Sequence, residues 1–366
     1  MAYTNIDDPS AHFTTTLWTG AGGSPRAITN DANSGNFQPD FVWTKGRNEA
    51  YEHQLYDSSR GAGTTKGLTP DDASVEGTAS ATYGYLSSFD SNGFTGTAGT
   101  SGQNAYFDTN AKTYVAWQWK ANGGTTSSNT DGDITSTVQV NQDAGFSIIT
   151  YTASGTTNDT IGHGLGVEPD IAIFKRRDVA TGNWDVQHNA GNPGAISVAY
   201  RHTLNLTEGT ATNVLSSFSS TTLGLSTGGD AQKNVSGSKY VCYAFKAKQG
   251  YSAFGSYYGN ASTNGEFVYT GFKPALVIFK VLSDPNYGWS MADIKRSPFN
   301  EMNENIYANT NAAETTDAIR CDFLSNGFKL RGSTYPGNAG GTNTFAYFAW
   351  AEHPFVTSTG IPTTAR

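Results

Sequence analysis

The segment EPDIAIFK (Glu168–Lys175) returns as KPALVIFK (Lys273–Lys280), and upstream as QPDFVWTK (Gln38–Lys45). Each begins at a proline, which fixes φ and cannot donate to a ladder, so it belongs where a strand starts. The run that follows is apolar on consecutive positions. A strand with one wet face alternates, so this run predicts a strand covered on both faces, central in its sheet.

Taking Pro39, Pro169 and Pro274 as origins, further landmarks fall into line. Upstream aromatics Trp18, Tyr151 and Tyr257 precede the prolines by 21, 18 and 17 residues. Downstream, SFDSNGF, SFSSTTL and DFLSNGF place Phe89, Phe218 and Phe323 at gaps of 50, 49 and 49. A second apolar residue follows each by five: Phe94, Leu223 and Phe328. The segments TYVAWQWKA, KYVCYAFKA and TFAYFAWAE then bring Tyr114, Tyr240 and Phe345 after 20, 17 and 17 more. Such recurrence predicts tandem copies of one module. The chain is read as an all-β protein of three tandem antiparallel β-sandwich (jelly-roll-like) repeats, at 12–122, 144–250 and 251–355. An N-terminal arm (1–11), a linker with a possible extra strand (123–143) and a C-terminal tail (356–366) complete it. Each repeat is expected to own its interior, the landmark rings are expected to be core, and the first repeat is expected to sit more loosely than the other two. The ends are expected to anchor to neighbours in an assembly.

Composition agrees with the sheet reading. Of 366 residues, 42 are glycine, 13% are aromatic and only 15% are charged, which suits short strands and tight turns. One short helix is expected within Phe299–Ala318. The net charge of −8, with no basic run beyond Lys175–Arg177, argues against nucleic acid as a partner, and no apolar stretch is long enough to insert into a membrane. The N-terminus lacks the features of a signal peptide, so folding in a reducing cytoplasm is expected. Cys242 and Cys321 are then expected as buried thiols rather than a disulfide framework.

No specific catalytic, cofactor or metal constellation stands out. Asp131 and Asp133 form a fragment of a calcium loop without its closing glutamate, and a turn is the preferred reading. His163, His188 and His202 lack the short spacing of a zinc site. Asp57 with Arg60, and Asp293 with Arg296, are expected as salt bridges or turn caps. Glu49 and Glu52 are expected as solvated loop carboxylates. Tyrosines outside the shared pattern, namely Tyr83, Tyr85, Tyr106, Tyr200, Tyr287 and Tyr335, are expected on the surface as the candidate contacts for glycan or partner.

The phrases AITNDANSGNFQPDFVWTK, YDSSRG, YVAWQWKA, GFSIITYTASGTTNDTIGHGLGVEPDIAIFKRR, YSAFGSYYGN, FVYTGFKPALVIFK and DFLSNGFKL…YFAWAEHPF resemble a repeat-bearing family of tailed phages of marine bacteria, the tail-fibre-like or virion structural proteins. The resemblance covers residues 8 to 355. It implies a virion component and supplies no catalytic residues; with the absence of a catalytic constellation, the expectation is a non-enzymatic protein of the particle exterior, assembled in the host cytoplasm, whose partners are other tail or capsid proteins. A tail fibre or adhesin contacting host surface glycan is the leading expectation, with a homo-oligomer, a trimer favoured. A head decoration protein and a polysaccharide depolymerase are the alternatives.

Overall fold

The computed structural model describes residues 3–31, 36–189, 200–208, 217–225, 232–316, 320–334, 336–340 and 343–362. In the first third, β1 (Phe13–Thr19), β2 (Arg26–Thr29), β3 (Phe41–Gly46) and β4 (Gln54–Asp57) are followed by a one-turn helix α1 (Ser80–Tyr83), then β5 (Tyr85–Asp90), β6 (Gly93–Thr97) and β7 (Thr113–Trp119). The middle third holds β8 (Ser127–Asn129), β9 (Ser136–Asn141), β10 (Phe146–Thr152), β11 (Thr160–Gly162), β12 (Ile171–Arg176), β13 (Trp184–His188), β14 (Tyr200–Thr203), β15 (Thr222–Gly224) and β16 (Lys239–Phe245). The last third holds β17 (Ser252–Tyr258), β18 (Phe267–Tyr269), β19 (Phe272–Val281), β20 (Trp289–Asp293), β21 (Ile306–Tyr307), β22 (Cys321–Leu324), β23 (Gly327–Leu330) and β24 (Thr344–Pro354).

One strand order recurs. The large sheets contain β1-β7-β3-β4, β10-β16-β12-β13 and β17-β24-β19-β20, so the proline strand always lies beside the last strand of its module. Small sheets β2-β6-β5, β11-β15 and β18-β23-β22 accompany them. The landmark spacings are now explained by register. Trp18 lies opposite Tyr114, Tyr151 opposite Tyr240, and Tyr257 opposite Phe345. These pairs stack with ring centroids 5.2, 5.1 and 5.1 Å apart. The residues five apart face each other across a hairpin: Phe89 with Phe94, Phe218 with Leu223, and Phe323 with Phe328. The glycine in SNGF is required by a close approach. A Cβ on Gly93 would lie 2.1 Å from the Ile28 carbonyl oxygen, and one on Gly327 2.1 Å from that of Val268.

The interiors differ from the sequence expectation. Val42, Tyr56, Leu86, Phe94, Phe107 and Ala116 fill a core between the two sheets of the first module. Ile149, Tyr151, Phe174, Leu223, Tyr240 and Cys242 do the same in the second. Alternate residues of the large sheets, however, face away from these cores and meet residues of the other modules in one continuous cluster. At its centre Trp119, Phe245 and Trp350, each five positions after a landmark aromatic, touch one another at 6.4, 5.2 and 5.5 Å. An apolar void of only about 30 Å³ remains beside them. The expectation of three separate interiors is therefore corrected. The strands read as covered on both faces are covered by their own small sheet on one side and by the neighbouring modules on the other.

Three further expectations change. The linker is not loose: β8 and β9 extend the second module's large sheet, and Asp40 accepts hydrogen bonds from the N–H groups of Ala121, Gly123 and Gly124. The N-terminal arm docks within the chain. Ile6 is buried, the Tyr3 hydroxyl donates to the Gly271 carbonyl, and the tail joins it where Asp7 accepts from Ser358. Among the described residues of 299–316 there is no helix. Ile306–Tyr307 pairs with β20, while Met302 and Asn305 bridge to Cys321 and Thr315, so tertiary pairing overrides local propensity. Residues 317–318 of that segment lie outside the described residues.

Candidate functional site

The polar residues that recur between modules are consumed at the seams. Asp57 caps its own turn, accepting from the Arg60 N–H at 2.9 Å and from Arg60 Nε at 2.5 Å. Arg60 also bonds Glu76, whose other oxygen accepts from Arg177 of the second module at 2.7 Å. Tyr243 of the second module completes the clamp by donating its hydroxyl to Asp57 at 2.7 Å. The same set recurs between the third and first modules. Asp293 holds Arg296, Arg296 holds Glu314, Glu314 accepts from Arg47 at 2.7 Å, and Trp117 Nε1 donates to Asp293 at 3.0 Å. Burial leaves these guanidiniums charged, because the carboxylates beside them more than offset the cost of desolvation.

A second set of bonds crosses all three seams in one rotational sense. Trp184 Nε1 donates to the Thr69 carbonyl at 2.9 Å, Trp289 Nε1 to that of Thr203 at 3.0 Å, and His53 Nε2 lies 3.1 Å from that of Tyr307. The Trp43 indole N–H donates to His53 Nδ1, which leaves the His53 proton on Nε2. Lys175 and Lys280, six residues after their prolines, likewise donate to the carbonyls of Ala73 and Thr207 in the preceding module. Burial lowers both ammonium groups, and that of Lys45, to about 8.

The other singled-out groups are structural as well. Asp133 accepts from the Thr160 N–H and hydroxyl, and Asp131 from Asn129. Buried His163 accepts from the Leu165 N–H, and His188 lies 3.1 Å from His202 in a stacked pair. No group of three metal-ligating side chains converges among the described residues. Both thiols are buried, and burial holds them protonated.

Of the candidate tyrosines, the structure brings two together. Tyr83 and Tyr106 sit edge to face, with centroids 6.2 Å apart, on a cavity of about 260 Å³ in the first module. Ala50, Tyr51, Glu52, Gln103 and Ala105 complete the lining. Tyr83, at the end of α1, is 44% exposed. Tyr106 is not the surface residue expected. It is buried, and its hydroxyl donates to Glu52 at 2.6 Å, which raises the phenol pKa through desolvation and the adjacent carboxylate. Neither Glu49 nor Glu52 is free in solvent as expected, since Glu49 pairs with Lys112. Behind Glu52, Asp71 accepts from the His53 N–H, and burial, reinforced by the charge of Glu52, raises its pKa to about 7. Tyr85 and Tyr287 are half-buried against the cores. Tyr335 and the side chain of Tyr200 lie outside the described residues.

The cavity in the first module has a local reason. The Tyr51 ring lies against Gly46, where a Cβ would be 3.0 Å from it. The equivalent positions, seven after the prolines, are Arg176 and Val281, which carry side chains where the first module has none. Sequence reasoning gave no role to Tyr51 or Gln103; the departure from pattern at Gly46 was the available signal. Larger clefts lie at two seams, about 330 Å³ beside Phe13 and His353 and about 470 Å³ beside Lys120 and Asn141. In the former, Glu352 and Lys295 are already paired with Lys273 and Asp31. Of these three cavities among the described residues, the tyrosine cavity combines an exposed ring with converging polar groups, and is the candidate site.

No curated protein matches the chain. A family model does match, over residues 8–354. The chain therefore belongs to the family described as a domain of unknown function, DUF7483.

Proposed function

We propose that this protein is a non-enzymatic structural protein on the exterior of a phage virion, of the tail-fibre or adhesin kind. One observation carries the non-enzymatic part: the acid, base and guanidinium groups at recurring positions are bound into clamps between modules. Such groups hold a shape; they are not presented together to a substrate. The resemblance to tail-fibre-like virion proteins supports the particle assignment. Three modules fastened to one another at three seams supply a rigid body, which suits a protein that contacts a host surface.

A trimer is not needed to close a ring already made within one chain. In this reading the assembly partners are other virion proteins, and avidity comes from several copies on one particle. The docked N-terminal arm and tail favour the adhesin over a head decoration protein that would grip capsid neighbours with its ends.

Antibody labelling of intact particles tests the reading. Signal confined to the tail is expected. Signal spread over the head would establish the decoration alternative, and particles without signal would defeat both. Release of reducing ends from host polysaccharide by the purified protein would replace the non-enzymatic assignment with a depolymerase.

A further inference from the structure

The geometry points to the Tyr83–Tyr106 cavity as a subsite for one neutral hexopyranose ring, an inference that rests on the adhesin reading. Size is the first argument. At about 260 Å³ the cavity falls below the roughly 300–1,000 Å³ of sites for drug-sized ligands, and suits a single ring.

Chemistry is the second. Tyr83 offers a half-exposed aromatic face, against which the C–H face of a pyranose packs. Glu52 commits Oε2 to Tyr106, while Oε1 has no hydrogen-bond partner among the described residues. The Gln103 amide and the Tyr51 and Tyr83 hydroxyls, also on the cavity, have none there either. An open carboxylate oxygen, an amide with both donor and acceptor, and two phenols match the vicinal hydroxyls of a sugar, each of which donates and accepts. The Tyr106 bond holds the carboxylate in place beforehand, so less freedom is lost on binding.

Charge sets the selectivity. Glu52 lines the cavity and its carboxylate would repel a uronic or sialic acid, which would bring a second carboxylate against it. Lys45 already lies beside Asp71, which lessens the pull on a cationic ligand. A neutral ring is the remaining fit.

The test uses the full chain with the methyl glycosides of glucose, galactose and mannose, and with methyl glucuronide as the acidic control. Saturation-transfer NMR detects contact, and titration gives affinities. At least one neutral glycoside should bind and the glucuronide should not. Tyr83→Ala and Glu52→Gln should each weaken the neutral sugar at least about tenfold, a change of ~1.4 kcal/mol. Absence of binding by all three neutral glycosides overturns the inference. So does binding that survives both substitutions, or a glucuronide that binds as well as the neutral rings. Tail labelling without sugar binding removes the subsite and leaves the adhesin reading. Sugar binding with unlabelled particles keeps the subsite and removes the virion assignment.

Discussion

Among the described residues, two of the seams are fastened by charge and one is fastened by rings. Between the first and second modules, and again between the third and first, an aspartate, two arginines and a glutamate form one buried relay, entered by a ring donor from the neighbouring module. Between the second and third, the aspartate position is His188 and the arginine positions are Gly191 and Leu282. The ring donor's place is taken by Phe348, edge-on to His188 at 5.5 Å, and His188 stacks on His202, which in turn meets Trp289 at 6.0 Å. One backbone geometry thus accepts either an ionic or an aromatic fastening. A buried charge pair costs desolvation that its attraction roughly offsets, so the clamps need not hold their seams more tightly than the rings hold theirs. They differ in what happens when one member is removed.

That difference gives the largest expected effect. Asp57→Ala or Asp293→Ala leaves a guanidinium buried without its main partner, and each should cost about 3–5 kcal/mol in chemical denaturation. The two losses should be similar, because the clamps are built alike. His188→Ala removes a ring contact and its hydrogen bond with His202, and should cost about 1–3 kcal/mol. A histidine variant as damaging as the aspartate variants would break the contrast between the seams.

The two fastenings should also answer differently to acid. Burial, then the neighbouring charges of His188 and Lys280, holds the His202 pKa well below its ordinary value. The unfolded chain therefore takes up a proton first, near pH 6.5, so this stability is present above that value and is lost as the pH falls below it. Asp71, raised to about 7, acts in the opposite direction: the folded form takes up its proton first and gains stability as the pH falls from 7. His53, also lowered by burial, acts with His202 from a clamped seam. The comparison of wild type with His202→Phe removes these shared terms. From pH 7 to 5 in thermal melts, wild type should lose more than the variant. Parallel pH profiles would mean that this seam is not acid-sensitive through His202.

Much of this architecture was legible before any coordinates. Spacing singled out Trp18, Tyr114, Phe323 and Phe328 as landmarks, and the structure pairs the first two and the last two, because cross-strand register keeps a fixed gap between residues in contact. The shared centre was not legible. Consecutive apolar residues in DIAIF and ALVIF say that both faces are covered and are silent about what covers them. The seam bonds join residues as far apart as Arg47 and Glu314, and neither end carries a local signal of the other. At the cavity, Tyr83 and Tyr106 were singled out with four other tyrosines as departures from the repeat, and nothing in the chain said that these two would meet. The same logic placed Tyr106 on the surface wrongly, because whether a loop tyrosine folds inward depends on a partner, here Glu52, that adjacency in the chain does not provide.

The smallest expected effect separates site from scaffold. Tyr83 is the exposed wall of the cavity, touches Tyr106 only edge-on, and belongs to neither a clamp nor a core. Its helix is a single turn ended by Gly84, whose φ of 125° lies in the region that favours glycine, so the turn does not depend on the tyrosine ring. Tyr83→Ala should therefore change stability by no more than about 0.5 kcal/mol. Tyr106→Phe, by contrast, strands the Glu52 oxygen that accepted from it and should cost about 1–3 kcal/mol. Denaturation of the two variants side by side checks both. If Tyr83→Ala proved as destabilising as Tyr106→Phe, its ring would be part of the scaffold, and its exposure would no longer argue for a ligand.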